Sequence, residues 1–537
     1  MLINNILFLL YFYFIFFSTL GFGLLFCRVF NISVTNLSMG VIGLIGIFFL
    51  TFISYFTNIF FSHNFIHNSI ILLLGFLLIL YQSLKYQIHS KKIFLNSFVI
   101  SLVFIIGFFL SKNNEDFGYY HFAYISNLTK EKIQFGLANF NSGFGTQSSI
   151  FYFSSLLYLP FVDYYLLNLH GLLILILSNI FFLDKFFFNK INNNNFIKIL
   201  CFLSFVFINL FFWRLAEYGT DRAGQIIVFI IVIILLHNLI KKSYSEDNIK
   251  ILLVLICYVL TLKSYFLIYI FLLYLIYVKF KNKLRFFYLR NVNLFLILFL
   301  FLFLFFFVNI ANTGCIIYPL SVTCFSSLPW TVPLDTVSAL NNWFELWSKS
   351  GATPNFVVPN KNEYLQDFNW VSNWIKTYFF TKVSDTLGGI IFIIIMFLFL
   401  FRSNKIKKTS FYPSLVYLYL LLVIFFIVWF NKHPDLRYGG YVLISLLFFI
   451  PASIYLSKYN IIYNYNNFKI CLVVLLTLFS FNVRNYQRIA AEFNRNDLYV
   501  FNNFPFFSKE YLKSEIKFDL LEKPKIILGY KFYIKNN

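Results

Sequence analysis

Asn291-Val-Asn-Leu-Phe-Leu-Ile-Leu-Phe-Leu-Phe-Leu-Phe-Leu-Phe-Phe-Phe-Val-Asn-Ile310 runs for twenty residues without a charged side chain. About 20 apolar residues in an α-helix cross the ~30 Å hydrocarbon core of a bilayer. In lipid, a helix also satisfies its own backbone hydrogen bonds. The runs 6–27, 39–61, 93–110, 223–240 and 411–430 repeat the pattern. They predict an all-α polytopic membrane protein with about 13–14 transmembrane helices. The N-terminal run has no basic leader and no small-residue cleavage site, so it is expected to be retained as the first span.

The composition fits that environment, at 60% hydrophobic and only 12% charged over 537 residues. A formal charge of +22 would point to nucleic acid in a soluble protein. Here most Lys and Arg sit in short loops beside apolar runs, where they set orientation, and no nucleic acid is an expected partner. The abundance of Phe (79 residues) with Ile, Leu, Asn and Lys reads as the imprint of an AT-rich genome.

Four basic loops, 85–92, 241–250, 279–290 and 402–408, are placed on the cytoplasmic side. The run 250–278 must then begin and end inside, so it reads as a hairpin of two short helices turning near Lys263. The segment 147–160 is decisive for the middle of the chain. If it crossed, the loops at 185–198 and 241–250 would carry six Lys to the outside. Being short and holding Ser148, Ser149, Ser154 and Ser155, it is read as interfacial or re-entrant. The outer loops are then 111–162, 214–222, 311–387 and 431–439, with the turn at Lys263. Residues 1–482 form the transmembrane domain, and the charged stretch 483–537 is an outer-face tail.

All seven Trp fall on or beside outer loops. Trp343/Trp347 and Trp370/Trp374 are each spaced i,i+4, which puts each pair on one helical face. An aromatic belt at the headgroups and a sugar-stacking surface both fit that pattern. No internal repeat, flexible linker or nucleotide-binding glycine loop is present. Cys27, Cys201, Cys257 and Cys471 lie in or at the ends of apolar runs and are expected to pack there. Cys315 and Cys324 share a proline-containing outer loop, and an oxidising compartment favours a disulfide between them.

Polar groups collect on the outer loops. Glu115-Asp116-Phe-Gly-Tyr-Tyr-His121 follows an apolar run, and a carboxylate at such a boundary suits a general base or a metal ligand. Asp116 also fits an N-cap for the helix that follows. His121 is open between ligand, phosphate partner and ordinary interface histidine. In Trp213-Arg-Leu-Ala-Glu-Tyr-Gly-Thr-Asp-Arg222, a helix would put Glu217 and Asp221 on one face, suited to a divalent metal or a cationic partner. In His433-Pro-Asp-Leu-Arg437-Tyr-Gly-Gly440, Arg437 can grip a phosphate at two points or snorkel while paired with Asp435. Lys263 and Arg222 are further cations for the same face, and His433 an accessory group.

Three segments resemble the GT-C class of membrane glycosyltransferases, and in particular a bacterial branch of it. The first is Asp116-Phe-Gly-Tyr-Tyr-His121 with Gly136-Leu-Ala-Asn-Phe-Asn-Ser-Gly-Phe-Gly-Thr-Gln-Ser-Ser149. The second is Thr313-Gly-Cys-Ile-Ile-Tyr-Pro-Leu-Ser-Val-Thr-Cys324 with Leu328-Pro-Trp330, and the third is Pro434-Asp-Leu-Arg437. The resemblance implies a catalytic carboxylate in an outer loop at Asp116. It implies an accessory metal site at Glu217 and Asp221, and a cation for a polyprenyl phosphate at Arg437. The Asp-x-Asp form of some members is absent here. On this reading the chain is a multi-pass enzyme of the bacterial inner membrane with its active face outward. It transfers a sugar from a polyprenyl-phosphate donor to a glycan or lipid acceptor, with membrane lipid around it. The rivals are a lipid-linked polysaccharide polymerase or ligase and, from another class, a transporter or lipid flippase. Charges gathered at one face favour transfer, and a chain of charges across the bilayer favours transport.

Overall fold

The computed structural model describes residues 2–35, 37–86, 91–108, 116–187, 195–215, 219–240, 245–353, 358, 360–401, 413–459, 467–495 and 524–534. The chain is a helical, polytopic membrane protein. Among the described residues, ten helices are long and apolar enough to span a bilayer, and Leu95–Gly107, Asn195–Phe211 and Gly440–Leu456 are shorter apolar helices. The quoted Phe-rich run is one of the ten, Val292–Thr313.

Burial separates core from periphery. Leu169–Phe187 and Thr220–Ile240 are 89% buried inside the protein, whereas Ser414–Lys432 is 22% buried and faces outward. Where the driving force is packing rather than water exclusion, small residues let helix backbones meet. A Cβ on Gly21 would lie 1.9 Å from the Gly75 carbonyl oxygen, so Leu2–Val29 and Phe65–Tyr86 touch backbone to backbone. Inside the core, Asn179 and Asn209 exchange side-chain hydrogen bonds of 3.1 and 2.6 Å. That reciprocal pair joins Leu169–Phe187 to Asn195–Phe211 without an unsatisfied amide.

The segment 147–160 forms one short helix, Ser149–Ser155, all of it buried. Seven residues rise only about 10 Å, too little to cross. The faces of the helix meet protein on every side. Tyr55 bonds Ser149 at 3.1 Å, His63 bonds Ser155 at 2.7 Å, and His170 bonds Ser154 at 2.7 Å. The serines that made the run look unfit for a span are the groups that hold it in place.

The chain turns at Lys263 as expected, between Glu246–Leu260 and the 3-10 helix Ser264–Phe271, but the outgoing arm is not a short helix: it runs on to Arg290 as a 27-residue candidate span. The described part of two expected loops is different. Residues 279–290 continue the helix Leu272–Arg290 past a break at Phe280, because Phe280, Leu284 and Phe287, spaced i, i+4 and i+7, give it one apolar face turned toward the protein. Residues 483–495 likewise continue the helix Phe468–Arg495, so position 482 marks no structural boundary. The loop at 402–408 lies outside the described residues. Farther on, strands Lys525–Ile527 and Tyr530–Phe532 form a hairpin. It docks through Tyr533 N–H to Phe135 O (2.8 Å) and an ion pair of Lys531 with Glu131 at 2.6 Å. The hairpin thus shares a face with the 131–136 segment and Trp330, whose ring is 5.4 Å from Phe532.

Candidate functional site

Four distant segments bring their charges together where helices begin or end. Asp116 leads into the π-helical turn Phe117–His121 and the helix Phe122–Lys130. Asp221 is in the first turn of Gly219–Ile240, where the helix dipole favours an anion. Lys263 sits in the hairpin turn with extended backbone. Arg437 is in the 3-10 turn Leu436–Tyr438, which Gly439 closes at a φ of 105° before Gly440–Leu456 starts.

The Arg437 guanidinium joins them. Its Nε donates to Asp221 Oδ2 at 2.7 Å, and its Nη2 donates to Asp116 Oδ2 at 2.8 Å. Lys263 Nζ donates to the other Asp221 oxygen. Two carboxylates and two cations thus form a chain of balanced formal charge, Asp116–Arg437–Asp221–Lys263. The Asp221 side chain is 3% exposed and forms the floor, while Asp116 at 37%, Arg437 at 34% and Lys263 at 25% reach the surface. Burial works against the Arg437 charge, but Asp221, Asp116 and Asp435 more than offset it and raise its pKa. Among the described residues, Nε and Nη2 of Arg437 carry its side-chain hydrogen bonds, and the side chain is 34% exposed, so Nη1 is the group of the fork left to meet an anion.

A rigid loop aims Arg437. Gln225, one helical turn beyond Asp221, donates to the carbonyls of Leu436 and Arg437, both at 3.1 Å, and accepts from Val442 N–H at 3.1 Å. Asp435 Oδ1 accepts from the Arg437 N–H at 2.9 Å and from Tyr378 OH at 2.5 Å. Asp435 therefore fixes the Arg437 backbone and is not its ion-pair partner. Burial pushes the Asp435 carboxyl above its ordinary range. Trp429 donates to Asp435 O at 2.8 Å and Trp374 to Pro434 O at 3.0 Å. Trp370, Trp374 and Trp429 are at most 4% exposed: Trp374 and Trp429 scaffold this loop, and Trp370 packs behind them on Trp374 and Phe430, so these three are packed inside the protein rather than at its lipid-facing surface.

The other sequence candidates divide. Asp116 spends its carboxylate on Arg437 rather than on a backbone N–H, which removes the cap as its described role. His121 is buried against Phe151, 5.0 Å away. Burial lowers its pKa to about 4 against the upward pull of Asp116 and Asp221, so at neutral pH it is uncharged and unsuited to a phosphate. His433 packs on Tyr438 at 5.4 Å, and burial lowers its pKa to about 4 as well. Arg222 donates to Phe211 O at 3.4 Å and leans on Phe212 and Tyr441. Glu115 and Glu217 lie outside the described residues. Both oxygens of Asp221 are engaged by cations, an arrangement that does not fit a divalent metal ligand. Among the described residues, no group of three or more His, Cys, Asp or Glu could hold a metal.

Two aromatic walls flank the cluster. On one side the Tyr120 ring packs on Gly143, where a Cβ would come within 2.7 Å, and Tyr318 packs likewise on Gly145. Tyr318 belongs to the loop closed by the Cys315–Cys324 disulfide, which is formed as the sequence led us to expect. Cys27, Cys201 and Cys257 are buried, and Cys471 is partly so. On the other side, Trp347 lies 5.8 Å from the Arg437 guanidinium and 6.2 Å from Tyr438. Lys263 Nζ sits 4.7 Å from the Tyr438 ring. Gln225 and Tyr378 were not singled out from sequence. The i,i+4 spacing of Asp221 and Gln225 was the one available signal.

No curated protein and no solved structure matches the chain. A family model described as a domain of unknown function (DUF8201) matches residues 6–444, and the chain belongs to that family.

Proposed function

We propose that this DUF8201 family member is a GT-C-like membrane glycosyltransferase. It takes a sugar from a polyprenyl-phosphate carrier and places it on an acceptor hydroxyl at the outer face of the bacterial inner membrane. The observation that carries the reading is the meeting of Asp116, Asp221, Lys263 and Arg437 at helix ends on one face. Charges lining a path for transport would instead be distributed across the bundle.

The cluster's wiring suggests an order of events. An incoming phosphate competes with Asp116 for Arg437, because the open Nη1 edge and the Asp116-bound Nη2 belong to one planar fork. Asp221 stays bonded below and keeps the guanidinium aimed. Asp116, relieved of its partner, takes the proton of the acceptor hydroxyl. The acceptor oxygen attacks the anomeric carbon from the side opposite the phosphate. The bond from that carbon to the phosphate oxygen breaks, and the electron pair leaves with the lipid phosphate. Arg437 and Lys263 stabilise the charge that develops there. The product is inverted at the anomeric carbon.

The test is mass spectrometry of lipid-linked sugars and surface glycans from cells with the protein, without it, and with Asp116→Asn. Loss of the protein should remove one glycan residue and raise the sugar-bearing lipid phosphate. Asp116→Asn should reproduce that loss, since a general base typically contributes ~10²–10⁴-fold. Identical profiles with and without the protein overturn the reading.

A further inference from the structure

We propose that Trp343 and Trp347 form the subsite that holds the sugar ring of a glycosyl phosphate whose phosphate lies on Arg437. The inference rests on the glycosyltransferase reading and adds to it the residues that distinguish a sugar-bearing lipid from a bare one.

The geometry comes first. The two indoles lie on one face of the helix Leu334–Lys349, nearly parallel (21°) with centroids 6.3 Å apart. Trp347 approaches the Arg437 guanidinium at 5.8 Å, and Trp343 is 44% exposed. Among the seven tryptophans this pair is placed unlike the rest. Trp370, Trp374 and Trp429 are buried, Trp330 donates its N–H to Ile310 O at 2.9 Å, and Trp213 faces Arg214 and Arg488. A belt tryptophan needs only the headgroup region, whereas Trp347 is seated beside the one guanidinium that joins both carboxylates.

The chemistry follows from that seat. A pyranose carries C–H bonds on its faces and hydroxyls on its rim. The electron-rich face of an indole attracts those C–H groups and leaves the hydroxyls wet. In a glycosyl phosphate the ring is bonded directly to the anion, and here the Arg437 guanidinium lies over the Trp347 ring at 5.8 Å, with Trp343 beside it. One ligand can therefore use both at once.

The platform is also held in advance. Lys349 pairs with Glu345 at 2.6 Å, its Nζ lies 5.0 Å from the Trp370 ring, and its carbonyl accepts from Tyr364 OH at 3.0 Å. The helix is pinned to the same scaffold that fixes Asp435. Little ordering is then left for the ligand to bring about.

The experiment measures binding of the purified full chain in detergent to a short polyprenyl phosphate and to its glucosyl, mannosyl and N-acetylglucosaminyl esters. Wild type should bind at least one ester more tightly than the bare phosphate. Trp347→Ala and Trp343→Ala should each weaken that ester roughly tenfold, about 1.4 kcal/mol. Trp343→Ala should leave bare-phosphate binding within about twofold, which also shows that it folds; Trp347→Ala, which also takes an indole from beside Arg437, should lose more affinity for the ester than for the bare phosphate. Trp347→Phe should recover most of the loss. Arg437→Gln should weaken all four probes. Equal binding of ester and bare phosphate by wild type, or Trp variants that leave the ester unaffected, overturns the subsite and leaves the transferase reading standing. Failure of wild type to bind any of the four overturns both.

Discussion

Asp116 and Asp221 are both carboxylates bonded to Arg437, and replacing each by Asn should separate floor from rim. The Asp221 side chain is 3% exposed and gives one oxygen to Lys263 and the other to Arg437. Asp221→Asn leaves two cations facing each other over a neutral amide that must turn its own N–H toward one of them. Breaking a buried ion pair by removing one partner costs about 3–5 kcal/mol. With two cations uncompensated, the upper half of that range is expected. Asp116 is 37% exposed and makes one bond to the guanidinium. Water screens what is lost there, so Asp116→Asn should cost no more than about 1 kcal/mol. Activity cannot separate these variants, because both are expected to lose it. Denaturant unfolding of the purified protein in micelles can, with the buried Trp370, Trp374 and Trp429 reporting on the Arg437 loop. Asp221→Asn destabilised by less than about 1 kcal/mol would refute the floor assignment. Equal, large losses in both variants would show that Asp116 is sealed inside, and the site would lose its accessible base.

Gln225→Leu removes three hydrogen bonds and strands two carbonyls and one N–H. It should cost on the order of 2–4 kcal/mol in the same unfolding assay and weaken binding of bare polyprenyl phosphate through a misaimed Arg437. Wild-type stability in that variant would count against the loop's dependence on the amide. His121, whose pKa burial lowers to about 4, makes a signed prediction in pH. The unfolded chain takes up that proton near pH 6.5 and the folded chain only near pH 4. The contribution to stability is therefore whole above about pH 6.5 and falls by up to ~1.4 kcal/mol per unit as pH drops toward the folded value. His121→Gln should flatten the acid limb of the stability profile between about pH 6 and 4; an unchanged limb would mean the imidazole is hydrated in the native state.

What could be read in the sequence was whatever the bilayer dictates locally. A span needs length and hydrocarbon, so Val292–Thr313 and its companions were legible. Lys263 was legible as a turn because a lysine in mid-membrane costs too much, and the serines of 148–155 marked a run that does not cross. Local charge density misled at 279–290, where it was taken for a loop. The apolar spacing was the better signal: Phe280, Leu284 and Phe287 recur at i, i+4 and i+7 and turn inward on the helix. Spacing misled for the tryptophans too: Trp343/Trp347 and Trp370/Trp374 have the same i,i+4 signature, yet only the second pair is buried to hold a loop.

The partners of Arg437 were illegible for a different reason. The sequence offers Asp435, two positions away, and that residue caps the backbone instead. The carboxylates that take the guanidinium lie 216 and 321 positions earlier in the chain. A buried charge in a protein with 12% charged residues must still find an opposite one, because the desolvation penalty is not otherwise repaid. Each charged residue at a helix end therefore demands some partner in another segment, and only the packing of the helices says which. Here the packing leaves one carboxylate and the edge of one guanidinium at the surface, while Asp221 and Lys263 neutralise what lies beneath. A fully buried cluster would be a structural clamp and a fully exposed one would be screened to little effect. On the proposed function, this intermediate placement would let the donor phosphate compete for Arg437 at the rim without unfolding the floor that aims it.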